Sequence, residues 1–449
     1  MAHIKSRKHH YKTSLVALAA TLPLITHADN TTKEGVIQLP EITVKNKTVS
    51  EYKVDQLSSV KSSQALVDTP QTVSIINKNL LKEQGATTLV EALRNTPGIT
   101  LQLGENGNTS AGDAFQMRGF STQSSTYLDG IRDLGAVSRD VFNLEQVEVV
   151  KGPAGAEGGR GTASGYVNLV SKLPHLENSR EVSATYNTAE HTRLATDINQ
   201  VINDSIAIRL NAMGQDGGVE GRDYIENKGW AIAPSIAFGL DSDTRLYLYS
   251  QHIRQRNIPD GGIPTIGMKG FWNADPLIAN AAKVDRENYY GHADDHEDID
   301  ADMFTAKIES DWAENLKFTN ITRLGNTHMQ RTLTGINSLS RNDSTNPQDW
   351  TVSRSRQGVD QENKILANQS TVNWNVKTGS VEHDVVAGVE LLKEQQHSRT
   401  LATQMPGQPT NSTPPANLYH PDRHQNLPDP VYTGAYSDGE TQTAAAYLF

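Results

Sequence analysis

The chain has 449 residues, 36% of them hydrophobic and 21% charged, with 41 Lys and Arg against 52 Asp and Glu. So acidic a balance argues against a nucleic-acid partner held through phosphates, and the lack of cysteine excludes a disulfide framework, a Cys-zinc site and thiol catalysis. No run supplies the about 20 apolar residues a spanning helix needs, but a membrane β-barrel stays open, because its strands alternate and look average in composition.

In chain order, the first feature is basic. Lys5, Arg7, Lys8 and Lys12 precede a mostly apolar stretch from Leu15 to Ile25, and Thr26-His27-Ala28 closes it with a small residue. This is the order of a secretory signal, so residues 1–28 are expected to be a signal peptide. A chain starting at Asp29 carries 37 basic residues against 52 acidic ones. Residues 29–62 are polar and without sustained period, as in a flexible leader. Within it, Leu39-Pro40-Glu41-Ile42-Thr43-Val44 is β-prone after a proline. Such a segment can add as a strand to a partner's sheet edge, although an ordinary linker of six residues reads the same.

Residues 63–176 read as compact α/β. Thr72 to Ile76 alternates like a strand, Asn77 caps a helix that Gly85 ends, and Thr88 with Glu91 makes a capping box for a second helix stopped by Pro97-Gly98. Gly104 to Asp113 is a Gly/Asn/Ser-rich loop. Phe115 to Phe120, Thr126 to Leu128, Val147 to Val150 and Tyr166 to Val170 read as strands, with a tight turn at Asp129-Gly130.

From Glu177 to Phe449 alternating strands recur, as in Ile206 to Met213, Thr244 to Ile253, Asp302 to Trp312, Leu316 to Leu324, Asn363 to Val376 and Glu382 to Lys393. A soluble β-sandwich alternates in the same way. The signal peptide, the missing cysteines and the unequal loops favour a barrel. Asn203-Asp204 and Asp241 to Asp243 are tight turns, whereas Asn257 to Val284 and Gly335 to Thr351 are expected to be long loops. The residues therefore favour an antiparallel all-β transmembrane barrel (177–449) preceded by an N-terminal α/β domain (63–176), which the resemblance below identifies as a partial barrel and a plug domain.

The motifs also carry a resemblance. Thr69-Pro70-Gln71-Thr72-Val73, Leu93 to Ile99, Met117-Arg118-Gly119-Phe120, Tyr127-Leu128-Asp129-Gly130, Val147 to Pro153, Gly159-Arg160-Gly161 and Gly165 to Lys172 come in order. Together they resemble the plug of TonB-dependent siderophore receptors of the Gram-negative outer membrane. Gly104 to Asp113, Gly130 to Asp140, Ile258 to Pro264 and Asp298 to Thr305 resemble the catecholate subtype. The resemblance implies that Leu39, Pro40, Glu41, Ile42, Thr43 and Val44 form a TonB box. It implies TonB, with ExbB and ExbD, as partners, a ferric catecholate siderophore as ligand, outer-membrane lipid as surroundings, a monomer, and no nucleic acid. The family barrel has about 22 strands, while about 11 candidates are visible here, so the chain is expected to be C-terminally truncated and to hold half a barrel.

Candidate sites follow from that reading. A ferric catecholate is anionic, so Arg132 is expected as an anion contact at the mouth, with Arg139 beside it and Glu105 and Asn106 as hydrogen-bonding neighbours. Arg118 and Arg160, in general family motifs, are expected to lock plug to barrel through carboxylate partners. Gly152 to Gly161 lacks the Gly-Lys-Ser/Thr ending of a phosphate loop, and no catalytic motif stands out, so no enzyme and no cofactor are expected. The acidic run from His292 to Asp302 and the group His420, Asp422 and His424 read as solvated loop rather than as metal sites. A receptor for haem, cobalamin or a sugar, and a passive barrel fragment, are the alternatives.

Overall fold

A computed structural model of the protein describes residues 52–62, 64–101, 113–122, 125–133, 137–155, 163–402 and 413–449. The expected signal peptide, the Leu39 to Val44 segment, Glu105, Asn106 and Arg160 lie outside the described residues.

The plug opens with β1 (Thr72–Asn77) and α1 (Lys78–Glu83), where the Asn77 side chain accepts from the Leu80 N–H at 3.0 Å. The capping box read from Thr88 and Glu91 is present at the start of α2 (Leu89–Leu93). Next come β2 (Ile99–Leu101), β3 (Phe115–Met117), β4 (Phe120–Ser121), β5 (Thr126–Leu128), β6 (Ile131–Arg132), β7 (Leu144–Lys151) and β8 (Gly165–Ser171). They form a five-stranded sheet in the order β1-β7-β8-β5-β6 and a three-stranded sheet β2-β3-β4. Phe115 to Phe120, expected as one strand, is instead a hairpin. Arg118 at φ +52° and Gly119 at φ +86° reverse the chain, as consecutive left-handed residues do.

The two faces of the five-stranded sheet differ in what covers them. Val147, Val149, Val167 and Leu169 pack with Leu81, Leu89, Leu93, Phe115 and Met117 into the plug core. On β7 the residues between, Glu148 and Val150, belong to the opposite face by strand alternation. There Leu57, upstream of β1, is buried with Tyr127, Val150, Ala154 and Tyr166. The C-terminal end of the expected flexible leader is thus part of the fold, because the sheet's second face needs an apolar cover.

The second region is an antiparallel meander. Its strands are β9 (Ser179–Tyr186), β10 (Thr192–Asn203), β11 (Ile206–Gly218), β12 (Glu226–Phe238), β13 (Thr244–Asn257), β14 (His296–Ala313), β15 (Leu316–Ser340), β16 (Thr351–Thr378), β17 (Val381–Ala402) and β19 (Val431–Leu448). A two-residue strand, β18 (Ala416–Asn417), pairs with the start of β16 and brings the sheet to eleven. One rim carries only tight turns, at 203–206, 239–243, 313–316 and 378–381; the long connections lie on the other. Two expected loop bounds are corrected. Asn257 is still strand and its loop runs on to residue 295, with a short helix α3 (Pro276–Ala279), while Gly335 to Ser340 extends β15.

Directly paired residues share a sheet face, so the register sorts the outer wall into levels. Phe318 and Val372 lie near the tight-turn rim, where Trp312 stacks on Phe318 with ring centroids 5.0 Å apart. Moving up, Ile308 aligns with Asn320, Ser370 and Val389, and Phe304 with Leu324, Leu366 and then Lys393 and Gln442. The next level is His252, Asp302, Asn326, Lys364, Gln395 and Glu440, followed by Arg254, Asp300, His328, Glu362, His397 and Asp438. From Trp374 back to Leu366 the strand advances about 25 Å along its length, which at the tilt of barrel strands fits within the apolar band of about 25 Å of an outer-membrane barrel. The charged levels lie above it.

β15 and β16 are 25 and 28 residues long, where about ten suffice to cross the bilayer. Their far ends carry a second core, in which Ile266, Val284, Tyr290, Trp350, Val352, Ala416 and Leu418 are buried together. Arg354 fastens it by donating to the carbonyls of Pro414 at 2.9 Å and Tyr290 at 3.1 Å. The long connections are therefore packed structure with their own interior.

Candidate functional site

Plug and inner wall meet through two apolar clusters, around Phe142 and around Ile131, and through polar side chains. At the Asp129-Gly130 turn, both residues take positive φ, +51° and +79°. The turn aims the Asp129 carboxylate so that it accepts from Ser171 N and Oγ, both at 2.8 Å, from Tyr249 Oη at 3.1 Å and from Arg323 Nη2 at 2.7 Å. Arg323 stands on β15, is 1% exposed, and also donates to the Leu128 carbonyl at 2.6 Å and to Thr305 Oγ1 at 2.9 Å. A wall arginine thus holds a plug turn.

Further contacts repeat the pattern. Arg193 of β10 grips Asp140 through two donors, at 3.0 and 2.7 Å. Lys172 pairs with Asp197 at 3.0 Å, and Asp197 also accepts from Arg209. Gln255 donates to the Ser138 carbonyl at 2.6 Å. Burial pushes the Asp140 carboxyl up despite Arg193, and pushes the Lys172 ammonium down.

The expected ligand residues are placed differently from one another. Arg132 is half-buried and ion-paired with Glu394 of β17, so its guanidinium faces the wall, in the locking role expected of Arg118. Arg118 itself is exposed. Its backbone N–H donates to the Gly98 carbonyl at 2.9 Å, and it makes no ion pair among the described residues. The difference lies in the turn: with φ at +52°, Arg118 sits at the tip of a hairpin rather than along a strand facing the wall. Arg139 joins Asp133 at 2.7 Å, Asp113 at 3.4 Å and the Val137 carbonyl at 3.1 Å. Burial raises the Asp113 carboxyl to about 6, with Arg139 pulling it back. Arg139 thus ties the ends of two plug segments together. Among the described residues no group of His, Asp and Glu is arranged to hold a metal ion.

Sequence reasoning missed the wall residues Arg193, Arg323, Glu390 and Glu394. Each is a charge on the inward side of an alternating strand, and that parity was the available signal.

Residues 65–166 match the TonB-dependent Receptor Plug Domain. The chain carries a plug domain of the TonB-dependent receptors. It is 40% identical over 417 residues to the catecholate siderophore receptor Fiu of Escherichia coli K12, covering 91% of this chain and 54% of Fiu. It is 37% identical to the probable TonB-dependent siderophore receptor PiuA of Acinetobacter baumannii, over 71% of this chain and 42% of PiuA. The crystal structure of the closed form of the E. coli ferric-catecholate import receptor Fiu superposes with a TM-score of 0.82 at 39% identity, over 89% of this chain and 56% of that one. That of PiuA gives 0.76 at 30% identity, over 88% and 57%. The chain spans about half the length of the curated relatives it matches. As an outer-membrane barrel it crosses lipid with strands; among the described residues no helix is long and apolar enough to do so.

Proposed function

We propose that this chain supplies the plug and part of the barrel of an outer-membrane receptor that imports a ferric catecholate siderophore, with the work delivered by TonB, ExbB and ExbD. The carrying observation is the similarity to a catecholate receptor over nine-tenths of the chain. In this reading a ligand arriving from the long-loop side meets the plug around Arg132, and Glu105 and Asn106 hydrogen-bond it. Arg139 braces the same region by joining Asp113 to Asp133, and Arg132 couples it to Glu394. The siderophore brings the iron's oxygen ligands, so iron travels as cargo and the protein need only recognise an anion.

Leu39 to Val44 is proposed as the TonB-capturing strand. Beside the apolar contacts of Ile131, Val137 and Phe142 with the wall, the ion pairs and hydrogen bonds suit energised release, since water can replace each partner as the plug shifts. The test is uptake of radiolabelled iron from a panel of siderophores, with and without Glu41 to Val44, in the complete receptor. Catecholates should be taken up, and the deletion should abolish uptake while binding persists. Uptake in the deletion variant would remove TonB coupling, and transport of haem, cobalamin or a sugar in place of catecholates would remove the ligand class. Residues 69–173 contain no histidine for an axial haem ligand.

A further inference from the structure

Glu148 is fully buried on β7, yet no cation stands within ion-pair distance among the described residues. Its carboxylate is served by neutral donors: Gln146 Nε2 at 2.7 Å, Asn168 Nδ2 at 2.8 Å and the backbone N–H of Ser58 at 2.6 Å. Two of these belong to the plug sheet; the third comes from the segment upstream of it. A buried carboxylate depends on every donor it has, because each one lost leaves charge without solvation.

The Ser58 segment has a defined shape. Gln56 bridges to Ala65, and the Leu66 N–H donates to the Asp55 carbonyl at 2.9 Å, closing a loop from Asp55 to Leu66. The loop stands between plug and wall and is held from both sides. On the plug side Leu57 is buried with Tyr127 and Tyr166, and Asn168 Nδ2 reaches Ser58 Oγ at 3.2 Å. On the wall side the Val60 carbonyl accepts from Asn373 at 2.8 Å. Lys61 pairs with Glu390 at 3.2 Å, its ammonium 4.7 Å from the centre of the Tyr447 ring.

We infer that Asp55 to Leu66 is a clasp across the plug–wall seam, and that Glu148 is the positioning residue that seats it. The clasp lies between the proposed TonB-capturing segment and β1, so a pull from the N-terminus loads it before it loads the plug sheet. The part played by pulling rests on the proposed function; the seating of the clasp does not. When the clasp lifts, Glu148 loses its Ser58 donor and the apolar face around Tyr127 and Tyr166 is uncovered. Both effects favour reseating once the pull ends.

The experiment is hydrogen–deuterium exchange on the membrane-folded receptor without TonB, comparing wild type with Glu148→Gln. The amide keeps the shape, but its NH₂ group meets donors where the carboxylate met none of its own kind. Exchange across residues 57–61 should rise at least tenfold, while Leu144 to Lys151 and Gly165 to Ser171 keep their protection. Unchanged exchange at 57–61 overturns the inference, and so does a parallel rise through β7 and β8, which would make Glu148 a general support of the sheet. Ser58→Pro removes the same donor from the other side, together with the hydroxyl that accepts from Asn168, and changes no residue of the sheet itself. It should reproduce the selective rise, and its failure to do so overturns the inference even where Glu148→Gln does not fold. TonB coupling is judged separately, by uptake after deletion of Glu41 to Val44, so either idea can fail alone.

Discussion

The inside of the plug is apolar, whereas its outer boundary mixes ion pairs with apolar contacts. Inside, Leu89, Leu93, Phe115, Met117, Val147 and Val149 are buried against one another, and that apolar interior folds the plug. At the boundary, Arg323 meets Asp129, Arg193 meets Asp140, Arg132 meets Glu394 and Lys61 meets Glu390. An apolar seam would have to expose its area all at once on opening. The boundary also holds apolar contacts, Ile131 against Ile321, Ala367 and Leu392, and Val137 and Phe142 against Ile253, Ile299 and Met329. Its polar contacts can exchange partners with water one at a time, so they oppose separation less than the apolar ones do.

That contrast can be broken at its strongest point by emptying the interior. Phe115→Ala should cost the plug about 3–5 kcal/mol, seen as loss of the plug's unfolding transition in denaturant while the barrel transition stays in place. Arg323→Ala should cost about 3 kcal/mol at the seam, because it strands the buried Asp129 carboxylate. Its signature differs from that of Phe115→Ala: exchange should rise at Thr126 to Arg132 while the Leu89–Leu93 helix keeps its protection. Adding Asp129→Asn, which tolerates the positive φ, should recover much of the loss.

Acid sharpens the comparison. The folded plug holds the Asp113 carboxyl at about 6 against an ordinary 3.8, so it binds that proton more tightly than the unfolded chain does. The resulting stabilisation is full below about pH 4 and lost as the pH rises through about 6. Asp113→Asn should flatten the dependence of the plug's denaturation midpoint between those values. The smallest effect is expected from Lys82→Ala. Lys82 bridges plug to wall at Glu181 over 2.7 Å, but both side chains are more than half exposed. The change should stay within about 0.5 kcal/mol, and a larger one would show that seam contacts do not scale with burial.

Much of this was legible in the sequence. Thr88 and Glu91 announced a capped helix, and Asp129-Gly130 announced a turn, because caps and turns are local chemistry. Strand alternation from Glu177 onward gave the meander, and the count of about 11 strands agrees with the sheet. Strand length was not legible. Beyond the bilayer neither face of β15 or β16 meets lipid, so the alternation that marks a strand fades although the pairing continues. Nor were the pairs. Arg323, Glu390 and Glu394 look like the polar half of any alternating strand until the register shows what stands opposite. Arg132 and Arg118 were told apart only by backbone geometry, which sets one along the wall and the other at a hairpin tip.

The levels on the outer wall act as a waterline. Above Phe304, Leu324 and Leu366 come His252, Asp302, Asn326, Lys364, Gln395 and Glu440 at one height. Sinking the barrel by one level, about 7 Å along a strand, would draw that whole row toward hydrocarbon. Rising by one level would lift Trp312, Phe318 and Trp374 out of their lipid boundary. The barrel is thus ballasted at a fixed depth, and the wall residues gripping the plug, Arg323 and Glu394 among them, are fixed with it. Under the proposed function, a tug on the N-terminal leader would meet an anchored frame, and its work would go into parting the seam rather than into dragging the receptor through the membrane.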